Sequence, residues 1–102
     1  MVLTGWVLAL AFCVPAALVS SDAASTPYAG WGAYGVSKAA LEQLGRIWDA
    51  ELSAAGVHFL TVDPGEMDTR MHREAVPEAD PTTLIRPEHA AARVMALLRE
   101  RA

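Results

Sequence analysis

Tyr34-Gly35-Val36-Ser37-Lys38-Ala39-Ala40-Leu41 is the stretch on which the reading of this chain turns, because a four-residue step on a helix stacks the Tyr34 phenol and the Lys38 ammonium on one face. Such a pair can do proton chemistry. A phenol in water titrates near 10, so making one reactive near neutrality means stabilising its phenolate by about 3 units, or about 4 kcal/mol, part of which a close cation supplies. Taken alone, Tyr-x-x-x-Lys more often marks a solvated helix face. The flanking sequence has to decide.

Upstream, Ser21 closes the apolar run Ala16-Ala17-Leu18-Val19, which predicts a short buried strand over 16–21 whose last side chain sits at the carboxyl edge of a sheet. Residues 21–32 are rich in Ser, Ala, Gly, Thr and Pro, with Tyr28 and Trp31 among them, a composition suited to a loop lining a pocket, where the two aromatics either contact substrate or pack beneath the loop. The helix carrying Tyr34 and Lys38 is expected over 32–55, with Gly56 as its C-terminal cap. Ala40, Leu41, Leu44, Ile47, Trp48 and Leu52 form its expected apolar stripe, leaving Glu42, Arg46, Asp49 and Glu51 mainly to water. Val57 to Val62 follows as a second strand, which Asp63-Pro64-Gly65 breaks. Between Glu66 and Ile85 lie Pro77, Pro81 and five acidic residues, as in a mobile loop or a short helix; Pro87 then opens a closing helix to about Arg101, with Ala90, Val94, Leu97 and Leu98 as its stripe. The order is strand, crossover helix, strand, loop, helix.

With these elements in place the chain resembles the short-chain dehydrogenase/reductase family from about Leu18 to about Leu98. The resemblance rests on Val-Ser-Ser before a Gly/Ala-rich loop, Tyr-x-x-Ser-Lys-Ala-Ala-Leu on the long helix, and Pro-Gly-x-x-x-Thr after the next strand. It implies an oxidoreductase that interconverts an alcohol and a carbonyl with NAD or NADP. Ser21 would hydrogen-bond the substrate oxygen, Tyr34 would pass a proton to or from it, and Lys38 would stabilise the phenolate while binding the nicotinamide ribose. Pro64, Gly65 and Thr69 would border the nicotinamide. In this family the long helix often builds a subunit interface, so a homo-oligomer through residues 32–55 is a further expectation.

The fold expected is α/β, part of a Rossmann-like doubly wound parallel sheet, in one partial domain over 1–102: an apolar segment at 1–15, the strand-helix-strand core at 16–65, a substrate loop at 66–86 and a final helix at 87–101. A complete fold of this kind, with six or seven strands, needs more than 102 residues. The glycine-rich turn that cradles a pyrophosphate is absent, since no glycine follows Thr4-Gly5 between Trp6 and Phe12. Asparagine occurs nowhere, so the Asn that supports a proton-relay water in the family has no counterpart. The expectation is therefore the C-terminal catalytic half of such an enzyme, with little or no turnover alone.

Hydrophobic residues make up 53% and charged ones 20%, which favours a packed interior over disorder, and a net charge of −4 gives no footprint for nucleic acid. Cys13 has no partner thiol, which suits a reducing, cytoplasmic compartment. His58, His72 and His89 show no metal-ligand spacing; His58 reads as a strand residue, His72 and His89 as exposed surface. Two rival readings remain. Uncovered apolar surface suits a non-enzymatic interaction module. Met1 to Val19 carries no charge and mimics a signal peptide or membrane span, although it lacks an opening Lys or Arg and is interrupted by Pro15; cleavage at Ala23 or Ala24 would remove Ser21.

Overall fold

A computed structural model describes residues 13–101. Strand β1 (Val14–Val19) and strand β2 (Val57–Val62) lie parallel and in register, Val14 opposite Val57 and Val19 opposite Val62. Helix α1 (Gly32–Leu52) is the crossover between them and continues into a 3-10 turn, Ser53–Ala55, that ends on Gly56 at φ 88°. This is the strand-helix-strand unit of a parallel α/β sheet, the fold class expected. Helix α2 (Arg70–Ala75) and helix α3 (Pro87–Arg101) follow. None of the described helices is long and apolar enough to cross a membrane. Residues 1–12, the larger part of the expected apolar segment 1–15 and of the signal-like stretch from Met1 to Val19, lie outside the described residues.

The first strand begins and ends two residues before the expected 16–21. Pro15 sits within it because alternate amides face β2: Val14 N–H donates to Gly56 O (2.8 Å) and Ser20 N–H to Val62 O (2.7 Å), so the proline nitrogen falls on the side where no ladder bond is lost. Ser21 consequently is not the last strand residue. It starts a 3-10 turn, Asp22–Ala24, with its Oγ accepting from Ala23 N–H at 3.2 Å.

The face that α1 turns to the sheet also differs from the expected stripe. Gly45 is its buried residue, and a Cβ there would stand 2.7 Å from Leu18 Cδ1 and 3.2 Å from Thr61 Oγ1. A side chain is missing where helix and sheet come closest. On the same face, Glu42 Oε1 accepts from the hydroxyl of buried Ser20 at 2.8 Å, and Asp49 Oδ1 accepts from Phe59 N–H at 2.8 Å. These two carboxylates, expected in water, instead satisfy polar groups of the sheet, which would cost about 1–3 kcal/mol each if left buried and unpaired. Trp48 joins them, packing on Phe59 with ring centroids 5.5 Å apart. Leu44, Ile47 and Leu52, assigned to the sheet side from sequence, are exposed, together with Val36.

Residues 66–86 contain a short helix, α2, one of the two alternatives the sequence left open. A parallel bridge joins Met67 to Ile85, Ile85 N–H donates to Glu66 O and Asp68 N–H to Ile85 O, so the segment is pinched at its base. Within it Thr69 caps α2, its Oγ1 accepting from His72 N–H at 3.2 Å, and Asp80 caps the turn Pro81–Thr83. In α3, Ala90 is buried while Leu97 is exposed, so Leu97 leaves the expected stripe.

Candidate active site

The carboxyl ends of both strands open into a cleft of about 600 Å³. Ser21, Tyr34, Lys38, Pro64, Gly65 and Thr69 all line it, although they come from four separate stretches of chain. Parallel strands explain the convergence: β1 and β2 end side by side, so the loops that follow them face each other, and α1 starts beneath the first.

Lys38 reaches back to the sheet, its Nζ donating to Val19 O at 3.1 Å. That carbonyl is the last of β1 and fixes the ammonium at the sheet tip. The same nitrogen lies 5.7 Å from the Tyr34 ring centroid, the one-face pairing that the four-residue step predicts. Tyr34 is held from its other side by Trp31, which meets it edge-on at 5.8 Å. Gly35, next along, lets α1 approach the Ser21 turn: a Cβ there would meet Ala23 O at 3.0 Å. Both serines line the cleft but differ in setting, Ser20 being buried with its hydroxyl committed to Glu42 while Ser21 donates weakly to Asp22 Oδ1 at 3.2 Å. On the opposite wall Gly65 adopts φ 81°, and its N–H donates to Asp63 Oδ1 at 3.0 Å, closing the turn that presents Pro64.

Trp31 lines the cleft; Tyr28 does not, and stacks on Trp31 at 5.6 Å while its hydroxyl donates to Asp22 Oδ2. That bond to the Asp22 carboxylate is the main reason the Tyr28 phenol is pushed above its ordinary 10.0, with desolvation and the negative charges of Asp22, Glu66 and Asp63 adding to it. Because the folded value is raised, the contact stabilises the loop fully below the ordinary phenol range and is lost as pH rises through the raised value. Asp22→Ala is therefore expected to bring the Tyr28 phenolate out at lower pH, read as absorbance near 295 nm in an alkaline titration. An unmoved titration curve would show that the carboxylate does not hold this phenol.

Sequence reasoning missed several wall residues. His72, expected on exposed surface, is turned inward with only 13% of its side chain exposed and lines the cleft. Both of its ring nitrogens are buried and lack a hydrogen-bond partner among the described residues, at a cost of about 1–3 kcal/mol. Asp22, Asp63 and Glu66 add carboxylates to the walls, while Met67 and Met71 add apolar surface. The signal for His72 was available only in combination, as the third residue of a helix capped by a cleft residue, Thr69. Among the described residues no cluster of three or more metal-ligating side chains forms.

Residues 17–80 match the short chain dehydrogenase family. The chain belongs to that family. Within it, a 2,3-dihydro-2,3-dihydroxybenzoate dehydrogenase of Escherichia coli is 51% identical over 55 residues, which make up 54% of this chain and 22% of that protein. A benzil reductase ((S)-benzoin forming) of Saccharomyces cerevisiae is 41% identical over 56 residues, covering 55% of this chain and 21% of the yeast protein. Among solved structures, a short chain dehydrogenase from Pseudomonas syringae superposes with a TM-score of 0.70 at 35% identity, covering 76% of this chain and 32% of its own. One from Salmonella enterica serovar Typhi gives 0.71 at 28% identity, covering 79% and 33%. The chain thus spans about a fifth of the length of these curated relatives of the short chain dehydrogenase family.

Proposed function

We propose that this chain carries the reacting end of an NAD(P)-dependent oxidoreductase site that interconverts an alcohol and a carbonyl in a small molecule, within a single partial domain. The observation that carries the reading is the convergence of Ser21, Tyr34 and Lys38 on one cleft at the carboxyl edge of a parallel sheet. The residues present fit the nicotinamide-ribose end of the cofactor: an ammonium held at the sheet tip, a neighbouring phenol, and a Pro64-Gly65 turn and Thr69 hydroxyl on the facing wall. No stretch of the sequence fits the pyrophosphate, for want of a glycine-rich turn.

When bound, the nicotinamide supplies or accepts the hydride. The chain's own part is proton transfer. Tyr34 gives its hydroxyl proton to the developing alkoxide in reduction and takes it back in oxidation. Lys38, oriented by Val19 O, stabilises the phenolate left behind. Ser21 must release its weak bond to Asp22 to donate to the substrate oxygen, and that donation is worth most as charge develops there. The named activities of the relatives, on a dihydrodihydroxybenzoate and on benzil, support a cyclic or aromatic substrate. A homo-oligomer through α1, supported by its exposed Val36, Leu44 and Ile47, and a cytoplasmic location belong to the same reading.

Saturation-transfer NMR of the chain with NADPH tests it. The nicotinamide and adjoining ribose protons are expected to saturate most strongly and the adenine protons least, with Lys38→Met removing the signal. Saturation led by the adenine, or unchanged in Lys38→Met, would reject the assignment.

A further inference from the structure

The Ser21 hydroxyl has a single proton, and two acceptors compete for it. Its Oγ accepts from Ala23 N–H at 3.2 Å, and its own proton goes to Asp22 Oδ1, also at 3.2 Å. Asp22 is pinned there from its far side, where Oδ2 accepts from the Tyr28 hydroxyl, and Tyr28 in turn rests on Trp31. A hydroxyl donates once, so a Ser21 that turns to a substrate oxygen stops donating to Asp22. Oδ1 then faces the cleft as a vacated acceptor beside the reacting oxygen. Asp22 is solvent-exposed and lines the cleft, so a ligand group reaches it. An ionised carboxylate only accepts, which makes the incoming group a donor. Charge narrows the choice further. Asp63 and Glu66 line the same cleft, its one ammonium is engaged by Val19 O, and Arg70 and Arg73 are paired with Glu74 and Asp68 outside it, so an anion finds no free cation. Lys38, in turn, disfavours a second cation next to Tyr34. What remains is an uncharged donor, a hydroxyl.

We propose that Asp22 is a specificity-determining residue of the cleft: its carboxylate accepts from a second hydroxyl, on the carbon next to the reacting one, once Ser21 has turned to the reacting oxygen. The substrate class is then an uncharged vicinal hydroxy compound whose apolar body lies against Trp31, Met67 and Met71. The inference rests on the oxidoreductase reading above and adds the substrate class. It also gives the Ser21–Asp22 bond of the free cleft a purpose, since that bond keeps in place the acceptor that the second hydroxyl takes over.

The test uses the full chain and three probes that share a phenyl ring and a benzylic hydroxyl: 1-phenyl-1,2-ethanediol, its ether 2-methoxy-1-phenylethanol, and mandelate. The ether keeps the body and the charge of the diol but has no second donor, and mandelate carries a carboxylate in its place. Affinities come from backbone amide shifts in proton–nitrogen NMR titrations. The diol is expected to bind about fivefold more tightly than the ether, and mandelate more weakly than either. Asp22→Ala is expected to bring the diol to the level of the ether, and Asp22→Asn, which keeps an acceptor oxygen without its charge, to restore part of the preference. Equal binding of diol and ether by the unaltered chain would overturn the proposal, as would mandelate matching the diol or a diol preference that survives Asp22→Ala. If the preference is missing while Tyr34→Phe still weakens both diol and ether, the role of Asp22 alone fails. If no probe shifts any cleft amide, the oxidoreductase reading of the cleft falls with it.

Discussion

Tyr34→Phe is expected to lower carbonyl reduction by about 10²–10⁴-fold while leaving the fold intact, because only the proton-bearing oxygen is lost and the ring that meets Trp31 edge-on remains. The measurement is loss of NADPH absorbance with benzil as acceptor, beside a far-ultraviolet dichroism spectrum that should superpose on that of the unaltered chain. If the chain alone gives no turnover, the baseline comes from a hybrid in which its 55 matching residues replace their counterparts in the Escherichia coli relative. Lys38→Met belongs in the same series and should fall by a comparable factor, since the proposed mechanism has the two side chains act as a unit. Turnover retained in Tyr34→Phe would assign the proton to another group, and the cleft carboxylate of Asp22 would be the next to examine.

The second large effect concerns packing. Gly45→Val is expected to lower the thermal midpoint by about 5–20 °C, from an overpacking cost of about 1–3 kcal/mol in a domain of this size. Helix propensity alone gives the opposite sign, since glycine is the poorer helix former by up to about 1 kcal/mol. The contact decides. The added carbon would lie 2.7 Å from Leu18 Cδ1 and 3.2 Å from Thr61 Oγ1, so those two side chains must give way together while valine's own branches add further volume. Gly32→Ala provides the control, because a Cβ there meets nothing within 4 Å, and its midpoint should hold or rise. A Gly45→Val chain melting with the original would show that helix and sheet are not in close contact.

The two strands and the crossover helix were legible because each rests on local signals, an apolar run, a four-residue step and a Pro-Gly break, whereas the six cleft residues were named from the family resemblance. The inward face of α1 was not. Hydrophobic periodicity assigns Leu44 and Ile47 to the sheet, yet the closest approach is made by Gly45, and Glu42 and Asp49 are drawn in by a serine hydroxyl and a strand amide that only the folded chain brings near. A carboxylate reads as solvated when its partner is 10 or 22 residues away. His72 was misplaced for a related reason, since a helix of six residues is too short to show a face, and its direction is set by the cap and the bridge at the base of the segment. Ser21 was chosen correctly as a cleft residue but on a mistaken footing, as the tip of a strand rather than the lead of a turn.

The bond from Lys38 to Val19 O ties the cleft's ammonium to the outermost rung of a ladder that is two strands wide among the described residues. Ends of such ladders open at far lower free energy than their middles. On warming, the amine therefore loses its anchor while α1 is still wound and the centre of the ladder still closed, so the cleft loosens ahead of the loss of helical dichroism.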